Sequence, residues 1–273
     1  MDSFADSFAG SLSALSERLD NADAVSLAKR LGLNPLDSWQ ENILSDESER
    51  LLLLCSRQAG KSTIAAVMVL HNALYNPGSL SLIIGPSERQ AKETYLKVSR
   101  GYHDLGYVDH PDSDRRLGME LANGSRVEAL PGSEKTIRGF SAASLVVIDE
   151  AARCERELLE GLRPMLAVSQ GRLIMASTPF AKSGPFYEAW ISRNPWSRYK
   201  VTAHECPRIP PEFLEEERVN LGERAYRREY LCSFEDNEAR VFSSEDIERA
   251  QDRTIEPMFK GGFAEWQETG ILR

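Results

Sequence analysis

Lys61 sits between Gly60 and Ser62, directly after a short apolar run and ahead of a segment with helical spacing. A Gly-Lys-Ser triplet at such a junction is the end of the G-x-x-x-x-G-K-[ST] phosphate-binding pattern. Successive backbone N–H groups of Ser56, Arg57, Gln58, Ala59, Gly60, Lys61, Ser62 and Thr63, together with the positive end of the helix that follows, receive phosphate oxygens. Lys61 then bridges the β- and γ-phosphates of a nucleoside triphosphate, and the Ser62 hydroxyl ligates Mg²⁺. One position departs from the pattern. Cys55 stands where the first glycine is expected, so the start of the loop lacks its most permissive residue.

A second element supplies the acids. Leu145-Val146-Val147-Ile148 is an apolar run that ends in Asp149-Glu150. At the carboxyl edge of a parallel sheet, Asp149 holds the water shell of the Mg²⁺ ion and Glu150 polarises the attacking water. Two acids can also do no more than end a strand at a solvated turn, but finding both elements in this order favours the catalytic reading. Further on, Ser177-Thr178-Pro179 follows another apolar run. Small hydroxyls there can bond the γ-phosphate or its water and couple hydrolysis to the next segment; the plainer alternative is a strand-ending turn stopped by proline.

These residues require a scaffold, and the pattern predicts one. Leu51–Leu54, Leu80–Ile84, Leu145–Ile148 and Leu173–Ala176 are short apolar runs, the first of them wholly apolar, as expected of parallel strands buried on both faces. Helices alternate with them, over Lys61–Tyr75, stopped by Asn76-Pro77-Gly78, and from Glu88 to about Tyr102. The expectation is an α/β fold of three layers, a P-loop NTPase of the ASCE/RecA-like kind, with a mainly parallel central sheet flanked by helices. One segment breaks the alternation. Between Gly118 and Leu130, Asn123-Gly124 separates two alternating runs, which predicts an antiparallel hairpin extending the sheet. Residues 10–32 read as helical, broken near Asn21 and stopped at Gly32. A short helix should follow Pro35, capped by Asp37 or Ser38, with Trp39, Ile43 and Leu44 facing inward. After Pro210-Pro211, an acidic helix and an Arg-rich one lead to Phe234. This divides the chain into a helical arm (1–34), an ATPase core (35–235) and a linker or lid segment (236–273).

Composition bounds the class. The 273 residues, 41% hydrophobic and 27% charged, suit one large globular domain with a small appendage. No apolar run reaches the ~18 residues a membrane-spanning helix needs, and the N-terminus lacks the layout of a secretory signal. The four cysteines, Cys55, Cys154, Cys206 and Cys232, lie far apart, which argues against a disulfide scaffold or zinc site and for a reducing cytoplasm. His204 and Cys206 form a lone H-x-C pair without a second. A net charge of −9 argues against a protein that coats nucleic acid over its whole surface, but not against one that grips DNA with a local basic stripe.

With these motifs in order, the sequence resembles the ATPase domain of large terminase subunits, the motors that package DNA into tailed-phage heads. Pro35-Leu36-Asp37-Ser38-Trp39-Gln40 is similar to the family's adenine-recognition motif, and Cys55–Thr63 to its phosphate loop, which tolerates a changed first position. Ile137-Arg138-Gly139, ahead of the acidic strand, is similar to an R-G element, and Ala176–Pro179 to the coupling motif. Arg228–Phe234 and Val241–Asp246 resemble segments at the domain's end, so the likeness spans roughly residues 35–250.

The resemblance implies roles. Gln40 reads the adenine edge, with Trp39 as buried support. Arg57 lies near the γ-phosphate, as a sensor or a charge stabiliser in cis. Arg138 is the candidate arginine finger across a subunit boundary, against the alternative of a surface or salt-bridging arginine. Arg89, Lys92, Lys97 and Arg100 line one helix and either touch DNA phosphates or form a solvated face. ATP and Mg²⁺ are the implied cofactors. Double-stranded DNA, a portal protein, a small terminase subunit and further copies of the chain in a ring (a monomer in dilute solution) are the implied partners, with the host cytoplasm as location. The family's nuclease domain is not expected here, since too few residues follow Phe242 and Glu245, Asp246 and Glu248 follow a helical, linker-like pattern, so no DNA cleavage is expected of the chain. The competing readings are a nucleotide-gated ring-assembly module with weak hydrolysis and another DNA translocase or helicase-like ATPase.

Overall fold

The computed structural model describes residues 23–107, 117–137 and 139–235. The helix expected over residues 10–22, the side chain of Arg138 and the segment 236–273, with Val241–Asp246 and Glu248, lie outside the described residues.

Seven strands form one sheet: β1 (Arg50–Cys55), β2 (Leu80–Gly85), β3 (Gly118–Glu120), β4 (Arg126–Pro131), β5 (Leu145–Asp149), β6 (Arg172–Ser177) and β7 (Ser197–Val201). Their spatial order is β3-β4-β2-β5-β6-β1-β7, and every neighbouring pair is parallel except β3–β4. The expected hairpin is that exception. Its register pairs Glu120 with Arg126, and the turn closes from the Gly124 N–H to the Leu121 carbonyl at 2.9 Å, with Gly124 at φ +78°. A left-handed residue is needed there, and glycine adopts it without a Cβ clash.

The all-leucine stretch of β1 shows why the central strands are mainly apolar. Leu51 and Leu53 point into one core and Leu52 and Leu54 into the other, because successive side chains leave opposite faces of a strand. On the first face pack α1 (Ala24–Arg30), α2 (Ser38–Leu44), α3 (Lys61–Tyr75) and α4 (Glu88–Asp104). On the second face lie Ile137 from the short α5 (Glu134–Ile137), α6 (Arg156–Ser169) and α7 (Pro185–Ile191). This is the expected three-layer α/β architecture. The last described helix, α8 (Pro211–Tyr230), is two helical pieces joined at Gly222, whose φ of +76° and ψ of 160° are non-helical. That matches the expected acidic and Arg-rich pair.

Local signals act where they were expected. Asp37 caps α2, its side chain receiving a backbone N–H while Gln40 Oε1 accepts from the Asp37 N–H at 2.9 Å. Gly32, at φ +81°, follows α1, and Asn76-Pro77-Gly78 ends α3. Four elements went unread in the sequence: α5, α6, α7 and the edge strand β7. The last carries Ser197, Arg198 and Lys200 among its five residues and is mostly half-buried, so it lacks the apolar signature of the central strands.

β7 is instead anchored by polar contacts. Asp46, just beyond α2, accepts hydrogen bonds from the Ser197 and Tyr199 hydroxyls, and Arg172 bonds the backbone carbonyls of Asp46 and Ser48. Burial works to raise the Asp46 pKa, but its bonds to Ser197 and Ser48 outweigh that and hold it below the ordinary 3.8. Asp46→Ala should lower unfolding free energy by about 1–3 kcal/mol in urea titrations. A carboxylate with a depressed folded pKa stabilises above its unfolded value. The difference between wild type and variant should therefore stand at neutral pH and close as pH falls below 3.8, through the lowered value.

Candidate active site

The phosphate loop leaves the carboxyl end of β1. Cys55 remains in the extended strand, paired in register with Val201, and the chain reverses later, at Gln58 (φ +60°) and Gly60 (φ +100°). The left-handed positions fall on those two residues. The position that carries the first glycine of the general pattern needs no conformational freedom here, which removes the objection raised by Cys55. Burial pushes the Cys55 thiol well above its usual range, so it is a packed thiol and not a reactive one.

The loop is held by residues distant in sequence. The Ser56 N–H donates to the Val201 carbonyl (2.8 Å) and the Arg57 N–H to the Glu229 carbonyl (3.0 Å), so these two N–H groups are taken by the backbone and, against expectation, do not face phosphate. Arg208 Nη2 donates to the Ala59 carbonyl at 3.1 Å. The Arg57 guanidinium, 68% exposed, lies 3.3 Å from the Glu229 carboxylate near the end of α8. Ser62 and Thr63 open α3 directly after Lys61, so loop and helix head form one anion-receiving cup.

Lys61 and Glu150 meet. Lys61 Nζ lies 2.7 Å from Glu150 Oε1, with only 13% and 20% of the two side chains exposed. Burial by itself would lower the Lys61 pKa, but the carboxylates of Glu150 and Asp149 outweigh it and hold it above its ordinary value. Glu150 has φ +54° and ψ +41°, a left-handed conformation that costs a non-glycine residue on the order of 1 kcal/mol and tends to cluster at functional sites. Thr178 Oγ1 donates to Glu150 Oε2 at 3.4 Å. Ser177 faces elsewhere, its Oγ accepting the Ala152 N–H at 3.2 Å and so bracing the turn after Glu150. The two hydroxyls expected to act together therefore divide, one toward the carboxylate and one toward its backbone.

Asp149, 5% exposed, accepts Thr94 Oγ1 on one oxygen (2.8 Å) and the Glu150 N–H on the other (3.0 Å). A carboxylate keeps further lone pairs beyond two such bonds. Carboxylate and hydroxyl oxygens, such as those of Asp149 and Ser62, are the donor types that Mg²⁺ takes. Thr94 went unmarked in the sequence, since a threonine inside a helix carries no motif.

Of the four basic residues on α4, all are exposed, but Lys97 turns toward the site, with Nζ 3.3 Å from Thr63 Oγ1. Burial and the nearby Lys61 charge lower its pKa, against the pull of Asp149. Lys97 is thus bonded to the head of α3. Arg89, Lys92 and Arg100 stay on the exposed surface.

Beside Gly60 and Thr63 lies a cavity of about 930 Å³, lined also by Leu33, Pro35, Gln40 and Arg208. Gln40 is 6% exposed. Its Oε1 is taken by the α2 cap, which leaves its amide nitrogen, 3.6 Å from where a Cβ on Gly60 would lie. Trp39 is buried, with its indole N–H bonded to Asp37, consistent with a supporting role. Arg208 was missed because it stands in no recognisable motif. Glu229 was within reach, since it belongs to the Arg228–Phe234 segment. For Arg138 only its neighbours are described: Ile137 is buried and Gly139 is exposed.

Comparison with known proteins agrees with this fold. The ATPase domain of the Thermus phage P74-26 large terminase is similar at a TM-score of 0.65 and 22% identity, over 76% of this chain and 96% of that one. The large terminase of the thermophilic bacteriophage D6E, solved with ADP, is similar at a TM-score of 0.59 and 13% identity, over 73% of this chain and 54% of that one. The HK97 bacteriophage large terminase is similar at a TM-score of 0.59 and 16% identity, over 73% and 50%. The chain thus matches about half the length of the latter two. At these identities the likeness establishes the fold. The family profile described as "Terminase large subunit, T4likevirus-type, N-terminal" matches residues 52–249, most of the chain, and covers the phosphate loop, both acidic residues and α8. The chain belongs to the terminase large subunit family.

Proposed function

We propose that this chain is the ATP-hydrolysing motor domain of a large terminase, powering translocation of double-stranded viral DNA into a procapsid. The observation that carries this is the 2.7 Å pair between Lys61 and Glu150, which puts a phosphate-loop cation and a strand-end carboxylate in one site. The D6E relative is a complex with ADP, and similar structures include one with ATP-γ-S.

The chemistry follows from that pair. Without phosphate, Lys61 neutralises Glu150 and the base is occupied. Triphosphate oxygens draw Lys61 to the β- and γ-phosphates, and Glu150 is released to take a proton from water as the water oxygen attacks the γ-phosphorus and the β–γ bridging bond breaks. The Thr178 hydroxyl orients Glu150. Mg²⁺, held by Ser62 and Asp149, would supply charge neutralisation of the phosphate oxygens. Arg57 pairs with Glu229, and a switch of its guanidinium to the γ-phosphate would relay nucleotide state to the end of α8.

A lone nucleotide-gated assembly module would have no use for a paired carboxylate at Glu150, which favours hydrolysis. Portal protein, small terminase subunit, DNA and a ring of copies are the partners this role requires, in the host cytoplasm; among the described residues no helix is long and apolar enough to cross a membrane. The test is steady-state ATP turnover with Mg²⁺, with and without double-stranded DNA, for wild type and Lys61→Ala. Turnover stimulated by DNA and lost in Lys61→Ala is the expected result. Absence of hydrolysis by wild type under every condition, including on assembled procapsids, would refute the motor reading.

A further inference from the structure

Arg208 joins the base-side cavity to the phosphate loop. Its Nη2 lies 2.8 Å from Asp37 Oδ2 and donates to the Ala59 carbonyl at 3.1 Å. A Cβ built on Gly60 would sit 3.9 Å from the same nitrogen. Asp37 is itself fixed, since it caps α2 and accepts the Trp39 indole N–H. One guanidinium nitrogen is thus pinned between the helix that carries Gln40 and the backbone of the phosphate loop. The side chain is still 50% exposed, and it lines the 930 Å³ cavity together with Leu33, Pro35 and Gln40.

A guanidinium held at one nitrogen and open elsewhere presents a flat, weakly hydrated cation to an aromatic ring. The apolar side chains of Leu33 and Pro35 make the same cavity suited to a planar base, and Gly60 and Thr63 at its edge belong to the cup that receives the phosphates.

We propose that Arg208 is a base-contacting and positioning residue of the nucleotide site. Its guanidinium packs on the purine, and its bonds to Asp37 and Ala59 keep the base pocket and the phosphate loop in register. This rests on the nucleotide-site reading above. Lysine in its place keeps the charge that holds Asp37 and the Ala59 carbonyl but loses the planar surface.

The test is calorimetric titration of wild type, Arg208→Ala and Arg208→Lys with ADP and, separately, with inorganic pyrophosphate, both with Mg²⁺. Arg208→Ala should weaken ADP roughly 10-fold and pyrophosphate far less, with Arg208→Lys also weakened for ADP but unchanged for pyrophosphate. Unchanged ADP affinity in both variants overturns the proposal. So does an equal loss for ADP and pyrophosphate in Arg208→Lys, which would make the residue a strut of the loop alone. Should Arg208→Ala fail to fold, Arg208→Lys decides by itself. Wild type that binds neither ligand refutes the nucleotide-site reading, and with it this one; wild type that binds ADP while the variants show no discrimination refutes only the role of Arg208.

Discussion

Glu150→Gln should lower the turnover number for ATP hydrolysis by roughly 10²–10⁴-fold, the range that removal of a general base produces, while ATP binds more tightly than to wild type. The two halves of this result have separate causes. The amide cannot take the proton of the attacking water, so the chemical step slows. Wild-type Lys61 is also engaged at 2.7 Å by Glu150 and must leave it to reach phosphate. A neutral glutamine releases that ammonium in advance, so binding no longer has to break an ion pair that is largely withdrawn from water. Single-turnover hydrolysis and equilibrium titration with a fluorescent ATP analogue read the two effects independently. Turnover that survives Glu150→Gln would remove Glu150 as the base. Weaker ATP binding in the variant would show that the Lys61–Glu150 pair shapes the site and does not compete with nucleotide.

Arg138→Ala should cost a roughly 10³–10⁵-fold fall in turnover, as expected for an arginine that neutralises transition-state charge, and the loss should be complemented between subunits. Gly139, beside this residue, is exposed, which leaves the segment open to another subunit. Mixing Arg138→Ala with Lys61→Ala subunits on procapsids should restore part of the activity, because some interfaces then pair an intact loop with an intact arginine. Mixtures as inactive as either variant alone would exclude trans action. Full activity of Arg138→Ala by itself would reduce the residue to a surface arginine.

Much of this site was legible before any coordinates because its chemistry is local. Gly60-Lys61-Ser62 must follow a strand and begin a helix to present its N–H groups, and Asp149-Glu150 must end a strand, so motif and scaffold are written into the same few residues. The mainly apolar runs of β1, β2, β5 and β6 announced a sheet buried on both faces for the same reason, and Asn123-Gly124 announced the hairpin through its backbone requirement. Contacts between segments far apart in the chain leave no such trace. β7 was hidden because an edge strand anchored by Asp46 needs no apolar run. Cys55 looked like a defect until the reversal was found at Gln58 and Gly60. Only tertiary structure brought Thr94 to Asp149, Glu229 to Arg57 and Arg208 to Ala59, and only it turned Lys97 toward Thr63. Sequence by itself singled out the residues proposed for the chemistry, since their backbone geometry is set by near neighbours. Folding decided what holds and tunes them, because hydrogen bonds and charge pairing depend on distance in space and not on separation along the chain.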